Sequence, residues 1–435
     1  MDMTMAGGLV LPALLAAATI GLWAFALLPE FLTALLFFAA ATILRLAAPE
    51  VIFSGFSSSA FWLVLSGFVI GTAIRKVGLA DRVAGLLAPR LVGSWPALVA
   101  GTVGLTYALA FVMPSNMGRI AVLMPVVMAL ADRAGLPAQG RGRTGLALVV
   151  GFGTFQLSAS ILPANVPNLV MVGAAESAYG IRLAYLPYLA LHAPVLGLLK
   201  GAVLAGCVVQ LFAPGPLAPV AAGPAPAPVS AAEVRLAILL IATLVLWMTD
   251  SLHGVTAAWI GLAAACLCLL PRVGFLSGDE FAAGVNVRTC LYIAGILGFA
   301  AFVARTGLGD RVGEALLPWL PLDPARPAAS VAGLLGLATV LNVVVTANGV
   351  PALFTPLAHG LAEASGLPLA TVLMVQVIGY ATPLLPYQAS PVVVAMGMGR
   401  VPARDGLRLC LAVAAVTAVV LVPLDILWFR ALGWL

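Results

Sequence analysis

The chain has 435 residues, of which 63% are hydrophobic and 9% charged, and its net charge is +5. Soluble domains carry roughly 25% charged residues, so this composition excludes a water-covered surface and defines a polytopic membrane protein. The basic residues are scattered, which reads as a topology signal and excludes a nucleic-acid-binding patch.

A spanning helix needs about 20 mostly apolar residues. On that criterion the first half is predicted to hold spans over 7–28, 31–47 and 53–74, then a helix pair, 96–113 and 117–131. The N-terminal stretch lacks a positively charged signal region and is read as a retained first helix. The pair encloses a polar knot, Pro114–Ser115–Asn116, followed by Arg119. Residues 146–175 are too long for one plain span and are interrupted at "LPANVPN", 162–168. Proline removes a backbone donor and clashes with the preceding turn, so this reads as a broken helix. A span over 186–211 closes the half.

Residues 212–234 are rich in Pro, Ala and Gly and read as an extended cytoplasmic linker. Beyond it come spans over 235–250, 254–271 and 289–304, a second helix pair, 329–346 and 350–362, a second interrupted span, 369–399, and a last span, 406–431. The second interruption is "TPLLPYQASP", 382–391. The five cysteines lie in apolar runs without metal-ligand spacing and read as small hydrophobes.

The halves match in order. "KVGLADRVAGLLAP" (76–89) aligns with "RTGLGDRVGEALLP" (305–318), and "PSNMGRIAVLMPV" (114–126) with "TANGVPALFTPL" (346–357). "ADRAGLP" (131–137) aligns with "AEASGLP" (362–368), and "LPANVPNLVMVG" (162–173) with "LPYQASPVVVAMG" (385–397). The predicted fold is therefore an all-α polytopic membrane protein of two inverted repeats, 1–211 and 235–435. Each repeat holds five transmembrane helices plus one re-entrant hairpin (96–131 and 329–362), with one broken helix per repeat. With the linker in the cytoplasm, about thirteen basic residues fall inside and about six outside, and both termini fall outside. Of 21 basic residues only Lys76 and Lys200 are lysine, the usage of a GC-rich genome, so the expected location is a bacterial plasma (inner) membrane.

Backbone leaves the helix at membrane depth only where it is buried in protein or lines a wet cavity. Four such places, 114–118, 162–168, 346–349 and 385–391, would offer free amides to an anion and oxygens to a cation. Ser115 and Asn116 also suit helix capping, and capping alone would not call for matching knots in both halves.

A Ser-Asn pair at a hairpin tip, an Asn at the matching second tip and proline-containing breaks downstream resemble the divalent anion/sodium symporter family. Its signatures read Ser-Asn-Thr, each followed by a Gly-Thr-Pro-Pro-Asn-like break. Ser115 and Asn116 match the first signature, with Met117 at the Thr position. Asn348 matches the second, between Ala347 and Gly349. Pro167 and Asn168 match the first break, with Asn165 at its Thr position, and Ser390 and Pro391 keep the second, with Gln388 just before and Val392 in place of its Asn. The resemblance implies a small anionic substrate, a dicarboxylate or a sulfate-like dianion, bound between the tips Ser115, Asn116, Met117 and Ala347, Asn348, Gly349 and the breaks Asn165, Pro167, Asn168 and Gln388, Ser390, Pro391. It implies sodium as coupling ion beside Ser115, Asn116 and Asn348, no other cofactor, and an elevator-type homodimer in the lipid bilayer. The alternative is a sibling permease, either an arsenite-type oxyanion exporter or the membrane subunit of a binding-protein-dependent carrier.

Arg119 departs most from that pattern. The segments around the tips carry no Asp or Glu that could neutralise it. Four readings stay open: the transported anion as partner, a vacated sodium site that Arg119 fills as a fixed cation, Asp250 or Glu280 through the fold, or a wet crevice. As a substrate-site candidate it stands beside Ser115 and Asn116. Lys200 is expected to pair or to snorkel. No metalloprotease motif, paired carboxylates or Ser-His-Asp set occurs, so an enzyme is not expected.

Overall fold

The computed structural model describes residues 3–24, 27–79, 82, 93–214 and 228–435. Residues 215–227 of the predicted linker, and 80–81 and 83–89 of the first repeat motif, lie outside them. The described residues are helical throughout, as a chain in hydrocarbon must be when its backbone polar groups have no water to bond.

The first half runs α1 (Met3–Ala24), α2 (Glu30–Ile43), α3 (Ser59–Val77), α4 (Trp95–Val112), α5 (Asn116–Arg133), α6 (Arg141–Gln156), α7 (Val166–Tyr179), α8 (Tyr185–His192) and α9 (Lys200–Leu211). The second runs α10 (Ala231–Met248), α11 (Ala257–Leu269), α12 (Val287–Arg305), α13 (Pro327–Ser365), α14 (Leu369–Tyr380), α15 (Ser390–Met398), α16 (Ala403–Val416) and α17 (Val422–Ala431). Among the described residues, seven helical stretches are long and apolar enough to cross a membrane. The two interrupted spans are not among them, because each is split in two: α6 and α7 flank the first break, α14 and α15 the second.

The α4–α5 pair folds back on itself. Trp95, which opens α4, donates to the Val209 carbonyl at 3.3 Å. Asp132, which closes α5, pairs with Arg143 at 2.6 Å, and Arg141 donates to the Leu211 carbonyl at 2.8 Å. Both open ends of the pair therefore lie at the level of residues 209–211. The 39 residues of α13 would span roughly 58 Å as one straight helix. They do not, because a Cβ on Gly366, just past its end, would lie 2.8 Å from Pro324, just before its start. The reversal is at Thr346, whose φ of 63° and ψ of 167° leave the helical region.

Packing across the breaks is reciprocal. The half-helix α7 packs against hairpin α13, where the Tyr179 hydroxyl donates to the carbonyls of Thr355 (2.8 Å) and Pro356 (3.1 Å). The half-helix α15 packs against α6 and α5 of the other half. A separate wall forms where α2 packs on α12 through Phe37, Phe299 and Phe302, ring centroids 5.5–5.6 Å apart, and where α11 packs on α3.

Two π segments, Ala193–Leu199 and Thr417–Leu421, were not expected from the sequence pattern. They pack on each other beside Pro194 and Pro423, whose missing N–H groups let the hydrogen-bond ladder slip by one residue. Outside the membrane, the Lys76–Glu280 pair at 2.6 Å ties the short helix Gly278–Gly284 to α3 and holds the Glu280 carboxyl below its usual range.

Thr346 occupies backbone territory normally reserved for glycine, at a cost of about 1–3 kcal/mol. Thr346→Gly should therefore raise the melting temperature of the solubilised protein, by an amount equivalent to roughly 1 kcal/mol once the greater chain entropy of glycine is deducted. A lowered melting temperature would mean that side-chain contacts of Thr346 outweigh its backbone strain.

Candidate functional site

The first hairpin tip forms because Pro114 cannot continue α4 and Ser115 caps α5, accepting from the Gly118 amide at 3.1 Å. It is seated on α3 at two glycines. A Cβ on Gly67 would lie 3.1 Å from Pro114, and one on Gly71 3.1 Å from Met113, so larger residues there would push the tip away.

Behind the tip lies Arg119, fully buried. Its guanidinium donates to the Met113 carbonyl and to Asn116 Oδ1, and at 3.0 Å each to the carbonyls of Thr154 and Ala164. Thr154 is in the last turn of α6 and Ala164 lies within the break. The cation thus sits at the negative end of a broken helix, on oxygens that the break has released. No carboxylate takes part. Asp250 accepts instead from the Tyr185 amide at 2.8 Å, and Glu280 pairs with Lys76, which rules out the pairing through the fold raised above.

Asn116 is the hub. Its Oδ1 accepts from Arg119 and from Ser158 (3.3 Å), and its Nδ2 donates to Asn165 Oδ1 at 2.9 Å. Asn165 donates onward to the Phe155 carbonyl at 3.1 Å. Asn168 donates to the carbonyls of Ala159 (3.1 Å) and Ile161 (3.0 Å) and accepts from the Tyr380 hydroxyl at 2.8 Å, which joins the first break to the end of α14.

The second break is held by different residues. Gln388 Oε1 accepts from the amides of Leu384 (2.7 Å) and Leu385 (2.6 Å). Lys200, also fully buried, neither snorkels nor forms an ion pair within 4 Å. Its ammonium donates to the Ala381 carbonyl, which caps α14, and to Thr382 Oγ1, each at 2.8 Å. A basic side chain therefore stands at the carbonyl end of each broken helix.

Both tips and both breaks meet at one cavity. Pro114, Ser115, Asn116 and Met117 line it from the first tip, Asn348 from the second, and Ser390 and Pro391 from the second break. Arg119 lies behind this surface, as do the buried Asn165, Asn168 and Gln388. Pro167 and Ala347 are buried away from it, and Gly349 lines a smaller neighbouring space with Trp23 and Phe299. The rest of its lining was not foreseen: Glu30 from α2, Val64, Gly67 and Phe68 from α3, Val166 and Leu169 from α7, and Thr289 and Tyr292 from α12. Glu30 carried a readable signal, being an acid that opens an apolar helix.

Two tips and two broken helices, closing on a cavity between packed helical bodies, define a membrane permease and not an enzyme. The chain belongs to the sodium:sulfate symporter transmembrane region family, which it matches over residues 4–435. It is 25% identical over 397 residues to the L-tartrate/succinate antiporter of Escherichia coli K12, covering 86% of this chain and 79% of that one. It is 23% identical over 395 residues to a membrane protein of Cupriavidus necator, covering 88% and 76%. In fold it is similar to the YdaH transporter of Alcanivorax borkumensis, with a TM-score of 0.55 over 88% of this chain and 87% of that one, at 15% identity.

The Asn116 hub predicts a double loss in Asn116→Ala. Arg119 and Asn165 each lose a buried partner, which costs roughly 1–3 kcal/mol per group left unsatisfied. The melting temperature should fall, and anion affinity should fall at least about fivefold. Arg119→Lys should be poorly tolerated, because one ammonium cannot span four oxygens set for a planar fork. Wild-type melting and binding in both variants would show that the network does not hold the tip.

Proposed function

We propose that this protein carries small dianions, a dicarboxylate or sulfate, across the bacterial plasma membrane, and that it does so as an exchanger with weak or no dependence on sodium. The observation that carries the reading is Arg119, set on four oxygens behind the first tip without a carboxylate partner. A sodium ion beside a tip would be held by oxygens of the same kind. A guanidinium there is a charge that stays bound and does not titrate in the physiological range. Lys200 repeats the device at the second break. With the Arg119 charge built in, the anion needs fewer mobile cations to offset the cost of its charge in a low-dielectric region. A relative named as an L-tartrate/succinate antiporter supports exchange between two dicarboxylates.

The same reading includes two inverted repeats and a homodimer in which the hairpins and broken helices move as a body against the wall of α2, α3 and α12. Reciprocal packing of α7 on the second hairpin and α15 on the first supports the pseudo-symmetry. The orientation, with both termini outside, rests on the distribution of basic residues. The ion pairs are consistent with it. Lys76–Glu280, Arg82–Glu233 and Arg143–Asp132 join groups assigned to the cytoplasm, and Arg182–Glu176 and Arg326–Asp323 groups assigned to the outside.

Proteoliposomes loaded with unlabelled succinate should take up labelled tartrate, succinate or sulfate with sodium replaced by choline. Arg119→Ala should lower that exchange by about tenfold or more. Strict sodium dependence in the wild type, with exchange unaffected in Arg119→Ala, would overturn the fixed-cation reading. Labelling of single cysteines placed at Arg182 and Arg326 from outside, with protection at Arg141, is the outcome expected for the orientation; labelling at Arg141 alone would reverse it.

A further inference from the structure

The cavity has an electrostatic feature at odds with an anion site. Its lining residues include one carboxylate, Glu30, and no cationic side chain. Among the described residues the Glu30 carboxylate makes no hydrogen bond or ion pair, while Trp23 Nε1 donates to its backbone carbonyl at 3.1 Å. Glu30 is therefore placed by its helix, and its acid group is left to the cavity.

The neighbouring charges do not neutralise it. Of the elements packed against α2, α12 carries Arg288, Cys290, Tyr292 and, at its far end, Arg305. The Arg288 guanidinium lies over the Phe31 ring, 5.6 Å from its centroid, and forms no ion pair within 4 Å. The short helix Pro49–Ile52 carries Glu50, and the described α1 carries no titratable group. Across the cavity, Arg119 is committed to its four oxygens behind Asn116. With Glu30 ionised, the cavity lining carries one negative group and no positive one. A dianion entering this space would share it with the ionised Glu30, which is exposed in the structure, and like charges in one space repel.

We infer that Glu30 is a proton-binding site linked to anion occupancy: the dianion binds to this cavity together with one proton, taken from bulk water onto the Glu30 carboxylate and returned when the anion leaves. The protonated acid then becomes a hydrogen-bond donor facing an anionic oxygen, opposite the amides of Asn116 and Asn348. The inference rests on the dianion reading above and adds to it a coupling partner that the tips and breaks do not supply. The sign follows from linkage. Because the bound state holds more protons than the free state, affinity rises as pH falls and weakens as pH rises, by up to about tenfold per pH unit where the uptake is one full proton.

The test is calorimetric titration of the full-length protein in lipid nanodiscs with tartrate, which stays a dianion between about pH 6 and pH 8.5. Measuring each pH in two buffers of different ionisation enthalpy gives the protons taken up per anion. The wild type should take up about one half to one proton near pH 7, and its affinity should weaken toward pH 8.5. Glu30→Gln, a neutral isostere of the protonated acid, should take up none and bind with little pH dependence. Glu30→Asp keeps a titrating group and should keep the uptake, an outcome that a merely structural role would not produce. Wild-type binding without proton uptake, or equal uptake in wild type and Glu30→Gln, would overturn the inference and leave the dianion reading standing. If tartrate, succinate and sulfate all fail to bind the folded wild type, the dianion reading itself falls, and this inference with it. Absent proton uptake in the wild type overturns the inference even if Glu30→Gln does not fold, and a shifted pH dependence in Glu30→Asp then carries the assignment to Glu30.

Discussion

A guanidinium buried at membrane depth without a carboxylate is the constraint that organises the first half of this protein. A charge in that position costs at least a few kcal/mol unless oxygens surround it. An unbroken α-helix has none to give, since each of its carbonyls is already bonded within the ladder. The break after α6 frees the carbonyls of Thr154 and Ala164, and the tip adds Met113 and the Asn116 amide. Break, tip and Arg119 therefore require one another: without the cation the released carbonyls are orphans, and without the break the cation is.

The second half meets a similar need with other means. The cation comes from α9 and not from the hairpin that follows the second tip, and it is a point charge on two oxygens where Arg119 is a fork on four. Asp425, on α17, is fully buried, and neither of its carboxylate oxygens has a hydrogen-bond partner among the described residues. Both nitrogens of buried His192 are likewise unpartnered, at the edge of the first π segment. The second half therefore carries its cation with more unsatisfied polar atoms around it, and with less geometric definition, than the first.

The all-helical, membrane-spanning character was legible because hydrophobic length is nearly the only rule a membrane helix obeys. The breaks were legible because proline marks them, at Pro163 and Pro167 and at Pro383, Pro386 and Pro391. Thr346 was not, since nothing about a threonine announces a positive φ. The tips were visible as polar residues in apolar runs, and they do meet at one cavity. Partner assignment was not readable. Asn165 and Asn168 look like ligand residues in the sequence, yet their amides are spent on carbonyls of the break itself. Lys200 lies 181 residues from the carbonyl it serves, a separation that no local pattern encodes.

The placement of the cavity follows from how its two walls are built. On one side, the tips present an amide, a hydroxyl and helix starts, groups that adapt to many oxyanions. They are neutral, so they can orient a ligand without setting how much charge it carries. On the proposed reading, charge is set from outside that layer: by Arg119, locked into the first broken helix behind Asn116, and by Glu30, which lines the cavity from α2. Gly67 and Gly71 let the first tip approach α3 closely enough for these layers to share one small space. On the proposed reading, the groups that would recognise an oxyanion and the charges that would balance it are carried by different elements.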